Sequence, residues 1–286
     1  MPSLLTDVED LALGSEHACA LSGGEVWCWG EGGSGQLGVG IVDDTIVPVR
    51  AFVGARHLSA GQSHSCVVDT SQAIWCWGAL TFGGQAFHAE PTRVPGVSGV
   101  QVTSGVGHAC ARASSGTVRC WGTNTQGVLG SGSYAGPDAV TTVAELNDAS
   151  LVSAGDYFNC AVRAEGKVVC WGLGGGVQSA ALVEVEGLDS VERLDAGGAS
   201  ACAIRADESL WCWGTNSFGE VGDGTTQRRV RAVRVLDSVA DVSVGYSHTC
   251  AVLVDGGVRC WGTNDAGELG TGTREPVAEP ADVLAP

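Results

Sequence analysis

All twelve cysteines fall into six pairs, and the second member of each pair is followed at once by Trp-Gly: Cys19 and Cys28, Cys66 and Cys76, Cys110 and Cys120, Cys160 and Cys170, Cys202 and Cys212, Cys250 and Cys260. Paired cysteines do one of two things, cross-link or bind metal. His17, His64, His108 and His248 stand two residues before a first cysteine, so the His-x-Cys…Cys grouping invites a zinc reading. Structural zinc wants four ligands in a closed site, and this grouping offers no fourth while disulfide formation competes for the same thiols. Every cysteine has a partner and none is left over, which favours six disulfides and an oxidising compartment. Six pairs of small buried thiols are the alternative, because free cysteine packs as a small hydrophobe. Neither a metal nor a cofactor is expected, and no residue is singled out as catalytic.

The elements that must hold these pairs are hairpins. In the first unit, pairing Cys19 with Cys28 leaves Gly23-Gly24 as a two-residue turn of the primed kind that hairpins favour. In the third, fourth and sixth units the loops read Ser114-Ser115-Gly116, Ala164-Glu165-Gly166 and Val254-Asp255-Gly256, with glycine where a left-handed residue closes a three-residue loop. Both spacings set the two cysteines directly opposite each other. The first cysteines recur every 42 to 50 residues, a period that signals a solenoid, a propeller or an array. Around each hairpin lie short β-branched runs bounded by Gly, Asn and Asp, and no long stretch carries a helical period. Four short strands per unit, repeated, predict an all-β propeller of six four-stranded blades forming one domain over residues 1–286.

Gly-x-x-His-x-Cys, the Trp-Gly that ends the hairpin, and Gly35-Gln36-Leu37-Gly38 together resemble the regulator of chromosome condensation repeat family. Gly219-Glu220-Val221-Gly222 and Gly267-Glu268-Leu269-Gly270 are variants of the last motif. The resemblance covers nearly the whole chain and implies a β-propeller of four-stranded blades, usually seven. Six units imply a six-bladed ring or a fragment of a seven-bladed one. A first-strand pattern at residues 8–14 and a last-strand pattern at 279–284 favour a six-bladed ring closed by pairing its two ends. Eukaryotic members act as exchange factors for a nuclear GTPase and bind chromatin. The plant ultraviolet-B photoreceptor branch carries Trp-Arg between Gly and His, and here those slots hold neither residue, so that activity is not expected. In style the chain is most similar to secreted members that inhibit β-lactamases through loops on one face.

Charge and composition narrow the partners. The formal net charge is −17, with Lys167 the single lysine. Phosphate neutralisation is therefore unavailable, and nucleic acid is excluded as a partner. No apolar run is long enough to span a membrane. The start, Met1-Pro2-Ser3-Leu4-Leu5, lacks a signal peptide, so export implies a leader absent from this sequence. The protein is expected to be a secreted or cell-surface monomer, and its arginine-rich, lysine-poor composition suggests a GC-rich bacterial genome.

The remaining candidates divide between packing and binding. Trp29, Trp77, Trp121, Trp171, Trp213 and Trp261 recur regularly and predict inter-blade core; Trp27, Trp75 and Trp211 precede the second cysteine and so point to the sheet face opposite it. Gly30–Gly35 lacks the Lys and following helix of a nucleotide loop. Asp43-Asp44, Asp223 and Asp265 lack calcium-loop spacing. The informative places are breaks in the repeat. Asp156-Tyr157-Phe158 and Tyr246 replace small or polar residues at the Gly-x-x-His turn, where Glu16 and Gln62 occupy matching slots. Aromatic residues beside acids on a rim are interface chemistry. The expectation is a non-enzymatic, exported binding or scaffold module that holds a protein partner through its rim loops. An enzyme in a central channel and a structural segment of a larger cell-surface protein are the alternatives.

Overall fold

The computed structural model describes residues 5–134 and 140–284. Each repeat folds into one antiparallel sheet whose four strands follow in chain order. The first holds β1 (Val8–Leu13), β2 (His17–Ser22), β3 (Glu25–Gly30) and β4 (Thr45–Val53); the second β5 (Ala55–Ala60), β6 (His64–Asp69), β7 (Ala73–Gly78) and β8 (His88–Ser98); the third β9 (Gln101–Ser104), β10 (His108–Arg112), β11 (Val118–Gly122) and β12 (Thr141–Thr142). The fourth holds β13 (Leu151–Ala154), β14 (Phe158–Val162), β15 (Val168–Gly174) and β16 (Val177–Glu184); the fifth β17 (Val191–Gly197), β18 (Ser200–Arg205), β19 (Leu210–Gly214) and β20 (Arg229–Leu236); the sixth β21 (Val239–Val244), β22 (His248–Leu253), β23 (Val258–Gly262) and β24 (Val277–Asp282). A single 3-10 turn, Ala164–Gly166, is the one helical element among the described residues. The chain divides into two compact units, Met1–Asn147 and Asp148–Pro286.

The hairpin chemistry is as the spacing predicts. Gly23 and Gly24 both adopt positive φ (58° and 79°), the two-residue primed turn. Gly116, Gly166 and Gly256 take the left-handed place in the longer loops. In the second and fifth hairpins that place falls to Gln72 and Glu208 (φ 67° and 61°), at a cost that glycine would avoid. In every hairpin the cysteines face each other on one rung, with Cα atoms 4.0–4.1 Å apart, and all six are disulfide-bonded. Each closes a loop of about ten residues, which constrains the unfolded chain by a little under 3 kcal/mol in the chain-entropy model.

Successive sheets pack by one rule. Side chains alternate across a strand, so the cysteine face of a hairpin carries the residues two places away, and the Trp-Gly indole lies on the opposite face. Cys19, Leu21, Val26 and Cys28 of the first sheet pack against Leu58, Val67 and Trp77 of the second. Cys66, Val68, Ile74 and Cys76 meet Val102, Ala111 and Trp121. In the second unit, Cys160, Val162, Val168 and Cys170 meet Ala201, Ala203 and Trp213, and Cys202, Ile204, Leu210 and Cys212 meet Val242, Ala251 and Trp261. Within each unit the cysteine face of one repeat thus covers the indole face of the next. Trp27, Trp75 and Trp211 are half-buried; Trp75 and Trp211 donate their indole N–H to Asp69 Oδ2 and Ser209 Oγ, both at 2.9 Å.

The pairing expected of the chain's two ends is not made among the described strands. β1 hydrogen-bonds to β2 and β24 to β23, each inside its own sheet. Every repeat supplies all four of its strands, which leaves none to exchange.

Candidate functional site

In a four-stranded meander, the first-to-second and third-to-fourth connections emerge at one edge, and the hairpins with the repeat-to-repeat links at the other. The first edge is here called the turn side. The Gly-x-x-His segment makes the shorter turn there. The glycine N–H donates to the carbonyl of the residue in the His slot, from Gly14 to His17, Gly61 to His64, Gly105 to His108 and Gly245 to His248. The imidazole lies over the glycine: a Cβ on Gly61 would sit 2.3 Å from His64 Cε1, and one on Gly14 2.2 Å from His17 Cε1. This close approach is why the motif requires glycine.

His17, His64 and His108 are buried, consistent with the structural role expected of them. Burial lowers the His64 ring to about 3 and the His17 ring to about 4, so both are neutral at pH 7. His108 and His17 add smaller electrostatic contributions in the same direction at His64. Among the described residues no group of three or more His, Cys, Asp or Glu side chains is placed to hold a metal ion.

The break residues separate into two kinds. Phe158 is fully buried and joins the core between the fourth and fifth repeats. It is therefore not an exposed anchor, which corrects the expectation. It fills the His slot, and its ring is packed round by glycines: a Cβ on Gly155, Gly174 or Gly175 would come within 2.0, 2.5 and 2.3 Å of it. Tyr157 and Tyr246 are exposed, at 45% and 75%. Asp156, beside Tyr157, is half-buried. Its N–H donates to Gly198 O at 2.8 Å, and Gly198 in turn abuts Tyr246, whose carbonyl oxygen a Cβ at residue 198 would approach to 2.1 Å. The three turns of the second unit thus stand in a row, Asp156-Tyr157, Gly198-Ala199 and Tyr246-Ser247, with only small residues in the middle. Desolvation raises the Asp156 carboxyl above the ordinary carboxylate range, and among the described residues its side chain has no hydrogen-bond or ion-pair partner. In the first unit, Ser15 N–H donates to Gln62 O at 3.3 Å, which brings the turns of Glu16 and Gln62, both exposed, side by side.

Each unit also carries exposed aromatic residues that no single motif announced. The exposed aromatic residues among those described are Phe87, Tyr134, Tyr157, Phe218 and Tyr246, and all lie in turn-side connections. In the first unit, the turn-side segments 14–17, 30–45, 61–64, 78–88, 105–108 and 122–134 carry Glu16, Glu31, Asp43 and Asp44 but no lysine or arginine. In the second unit they carry Arg228, Arg229 and Arg274, and Arg229 is paired with Asp223. Mapping connections to edges after finding the strands would have exposed this asymmetry.

The Gly-Gln-Leu-Gly motif proves to be a latch rather than a site. Leu37 and Val221 are buried, and the backbone carbonyl before each reaches the next repeat. Gln36 O accepts from Trp77 Nε1 (2.8 Å) and Ser65 Oγ (3.1 Å); Glu220 O accepts from Trp261 Nε1 and Thr249 Oγ1, both at 2.9 Å. Asn124, Asn216 and Asn264 brace the loops, each accepting at Oδ1 from the backbone N–H five residues on, at 2.9–3.0 Å.

Four-stranded sheets wound in chain order, four of them with the Gly-x-x-His turn and two with a Trp-Gly indole latched by the preceding loop, define a repeat propeller. The family model for the regulator of chromosome condensation (RCC1) repeat matches residues 8–36, 100–128, 150–175, 191–220 and 239–268, and a second model of the same repeat matches 23–68 and 207–252. The chain belongs to that family. Solved structures with the same fold include Prp20p from Saccharomyces cerevisiae, 19% identical with a TM-score of 0.85 over 96% of this chain and 76% of that one. Human WBSCR16 is similar, 21% identical with a TM-score of 0.86 over 99% of this chain and 83% of that one. Among characterised proteins, Alsin from Rattus norvegicus is 44% identical over 85 residues, which is 28% of this chain and 5% of Alsin. The ultraviolet-B receptor UVR8 from Arabidopsis thaliana is 29% identical over 180 residues, 58% of this chain and 41% of the receptor. The matched segments thus span less than half of either protein.

Proposed function

We propose that the chain is a non-enzymatic, exported binding module that holds a protein partner on the turn side of its sheets. The observation that carries this is the collection of exposed aromatic side chains on that one edge in both units. Aromatic rings supply large contact area at small entropic cost and commonly act as interface hot spots. The unpaired, partly desolvated Asp156 beside Tyr157 favours a partner that presents a cationic side chain there. The absence of lysine and arginine from the first unit's turn-side segments suits the same basic partner. Six disulfides are compatible with an extracellular site of action. Among solved relatives, yeast Prp20p binds Gsp1p and histones, so partner binding has precedent on this fold.

A random peptide library selected against the intact protein tests the reading. Recovered peptides are expected to be basic. Tyr157→Ala and Tyr246→Ala should each weaken them at least tenfold by calorimetry without unfolding the protein, Asp156→Asn should weaken them severalfold, and Glu16→Ala should act mildly. Val254→Ala, on the hairpin side, should leave affinity unchanged. Binders indifferent to both tyrosines would place the interface elsewhere.

A further inference from the structure

In each unit a loop that follows Trp-Gly interlocks with the fourth strand of the next repeat through one backbone bond. Gly40 N–H donates to Ala89 O at 3.0 Å in the first unit, and Gly224 N–H to Ala278 O at 2.9 Å in the second. The two interlocks match in detail: a Cβ on Gly40 would lie 2.7 Å from Glu90 Oε1, and one on Gly224 2.6 Å from Glu279 Oε1. The backbone therefore asks nothing different of the side chains that follow. In the second unit they are Thr225, Thr226 and Gln227, and Thr225 braces its loop by donating to Asp223 Oδ1 at 2.7 Å. Ser133 and Thr273 hold the same place after Gly132 and Gly272. In the first unit the residues are Ile41, Val42 and Asp43, with Ile41 56% and Val42 50% exposed. Three other loops carry a hydroxyl at the Ile41 place, so the fold does not call for an aliphatic side chain there.

Phe87 joins them from the second repeat. Its ring edge rests on Gly35 of the same loop, where a Cβ would meet Phe87 Cε2 at 3.0 Å, and 45% of the residue remains exposed. It precedes the residue paired with the Trp-Gly glycine, a place held by Arg228 and Pro276 in the fifth and sixth repeats. Asp43 and Asp44 follow Val42 directly, Glu90 abuts Gly40, and residues 30–45 and 78–90 contain no lysine or arginine. Exposed apolar side chains rimmed by charge of one sign mark an interaction surface, and the sign selects the partner. We infer that Ile41, Val42 and Phe87 form a docking surface for a basic segment of a protein partner, whose apolar side chains cover these three and whose lysines or arginines face Asp43, Asp44 and Glu90. The inference rests on the turn-side reading for the edge on which the partner sits. It shares no residue with the surface of Asp156, Tyr157 and Tyr246, and all its residues belong to the first unit.

A random dodecapeptide library selected against the disulfide-intact protein carrying both Tyr157→Ala and Tyr246→Ala tests this. Enriched peptides should combine lysine or arginine with aliphatic or aromatic residues. Their affinity by calorimetry should fall at least tenfold when Ile41→Thr and Val42→Thr are added, side chains that the matching loop of the second unit already carries, and at least tenfold again with Phe87→Ala alone. Each variant should melt within a few degrees of its parent. Asp43→Asn with Glu90→Gln, which leaves the apolar residues in place, should weaken the peptides severalfold at about 50 mM NaCl and little at about 0.5 M. A library that enriches nothing, peptides that are acidic, or peptides that bind the Ile41, Val42 and Phe87 variants as tightly as the parent would each overturn the inference. Because the selecting protein lacks both tyrosines, failure here leaves the tyrosine surface standing, and failure of that surface leaves this one.

Discussion

Between repeats one and two the chain builds a polar latch; between repeats four and five it builds an aromatic plug. In the first case the loop after Trp29-Gly30 is long enough to carry Gln36 over the following repeat, where its carbonyl takes the Trp77 indole N–H and the Ser65 hydroxyl. In the second case β15 runs on to Gly174 and turns at once into β16, so no loop reaches the next indole. Trp213 Nε1 and Ser200 Oγ are buried there without a protein partner. The deficit is offset by Phe158, whose ring occupies the space His holds elsewhere and is enclosed by three glycines. The second repeat shows the same correlation: its loop lacks Gly-Gln-Leu-Gly, and Trp121 Nε1 behind it has no partner. Ala109 and Ala201 precede the cysteine in the repeats behind the altered loops, where Ser65 and Thr249 supply a hydroxyl behind intact ones. A latch is lost as a unit, because a buried hydroxyl without its acceptor costs more than an alanine.

The largest test of this contrast is Phe158→Ala. It should cost about 3–5 kcal/mol in urea unfolding, because the surrounding glycines have no side chains with which to fill the cavity. A loss under about 1 kcal/mol would mean the plug is dispensable. Next comes a matched pair, Trp77→Phe and Trp213→Phe. The two lose similar volume, but the first also breaks a hydrogen bond while the second removes a donor that has none. Trp77→Phe should be the more destabilising by about 2 kcal/mol. Equal losses would show that the latch contributes nothing.

The smallest effect concerns the first strands of the second unit, where Asp195 stands at the place held by Ser59, Thr103 and Ser153 elsewhere. Its carboxylate accepts from Val244 N–H at 2.7 Å and from Ser153 Oγ at 3.3 Å, tying β17 to both neighbours. Desolvation nonetheless pushes its pKa up to about 6 from 3.8, so the folded state holds a proton that the unfolded chain releases. This group's contribution to stability is therefore full below about pH 4 and is lost as pH rises through 6. Asp195→Asn should raise stability by about 1 kcal/mol at pH 8, and the gain should vanish near pH 4. Melting curves at the two pH values check this; a gain that does not change with pH would rule out titration of Asp195 as its source.

Much of the fold was readable because it is local. A hairpin's register follows from its turn, so Gly23-Gly24 and the glycine-ended three-residue loops placed every cysteine opposite its partner without knowledge of any other repeat. The candidate site was readable only in part. Tyr157 and Tyr246 are exposed as expected, whereas Phe158, adjacent in sequence and similar in chemistry, is buried. Tyr157 belongs to the turn before β14, whereas Phe158 opens a strand buried along its whole length, and whether its slot has room for a phenyl ring depends on Gly174 and Gly175, which the sequence places on another strand and turn.

The sequence by itself thus determined the repeat, the strands, the hairpin registers and the disulfide partners, all set by turn geometry and by residues within about ten positions of each other. Only the tertiary structure decided which faces are covered. Val47 on β4 and Val94 on β8 have the same side chain on the same kind of strand, yet the first is exposed and the second fully buried. Their difference in exposure comes wholly from the presence or absence of a packed neighbour. Burial is a property of what lies opposite, which no residue encodes alone.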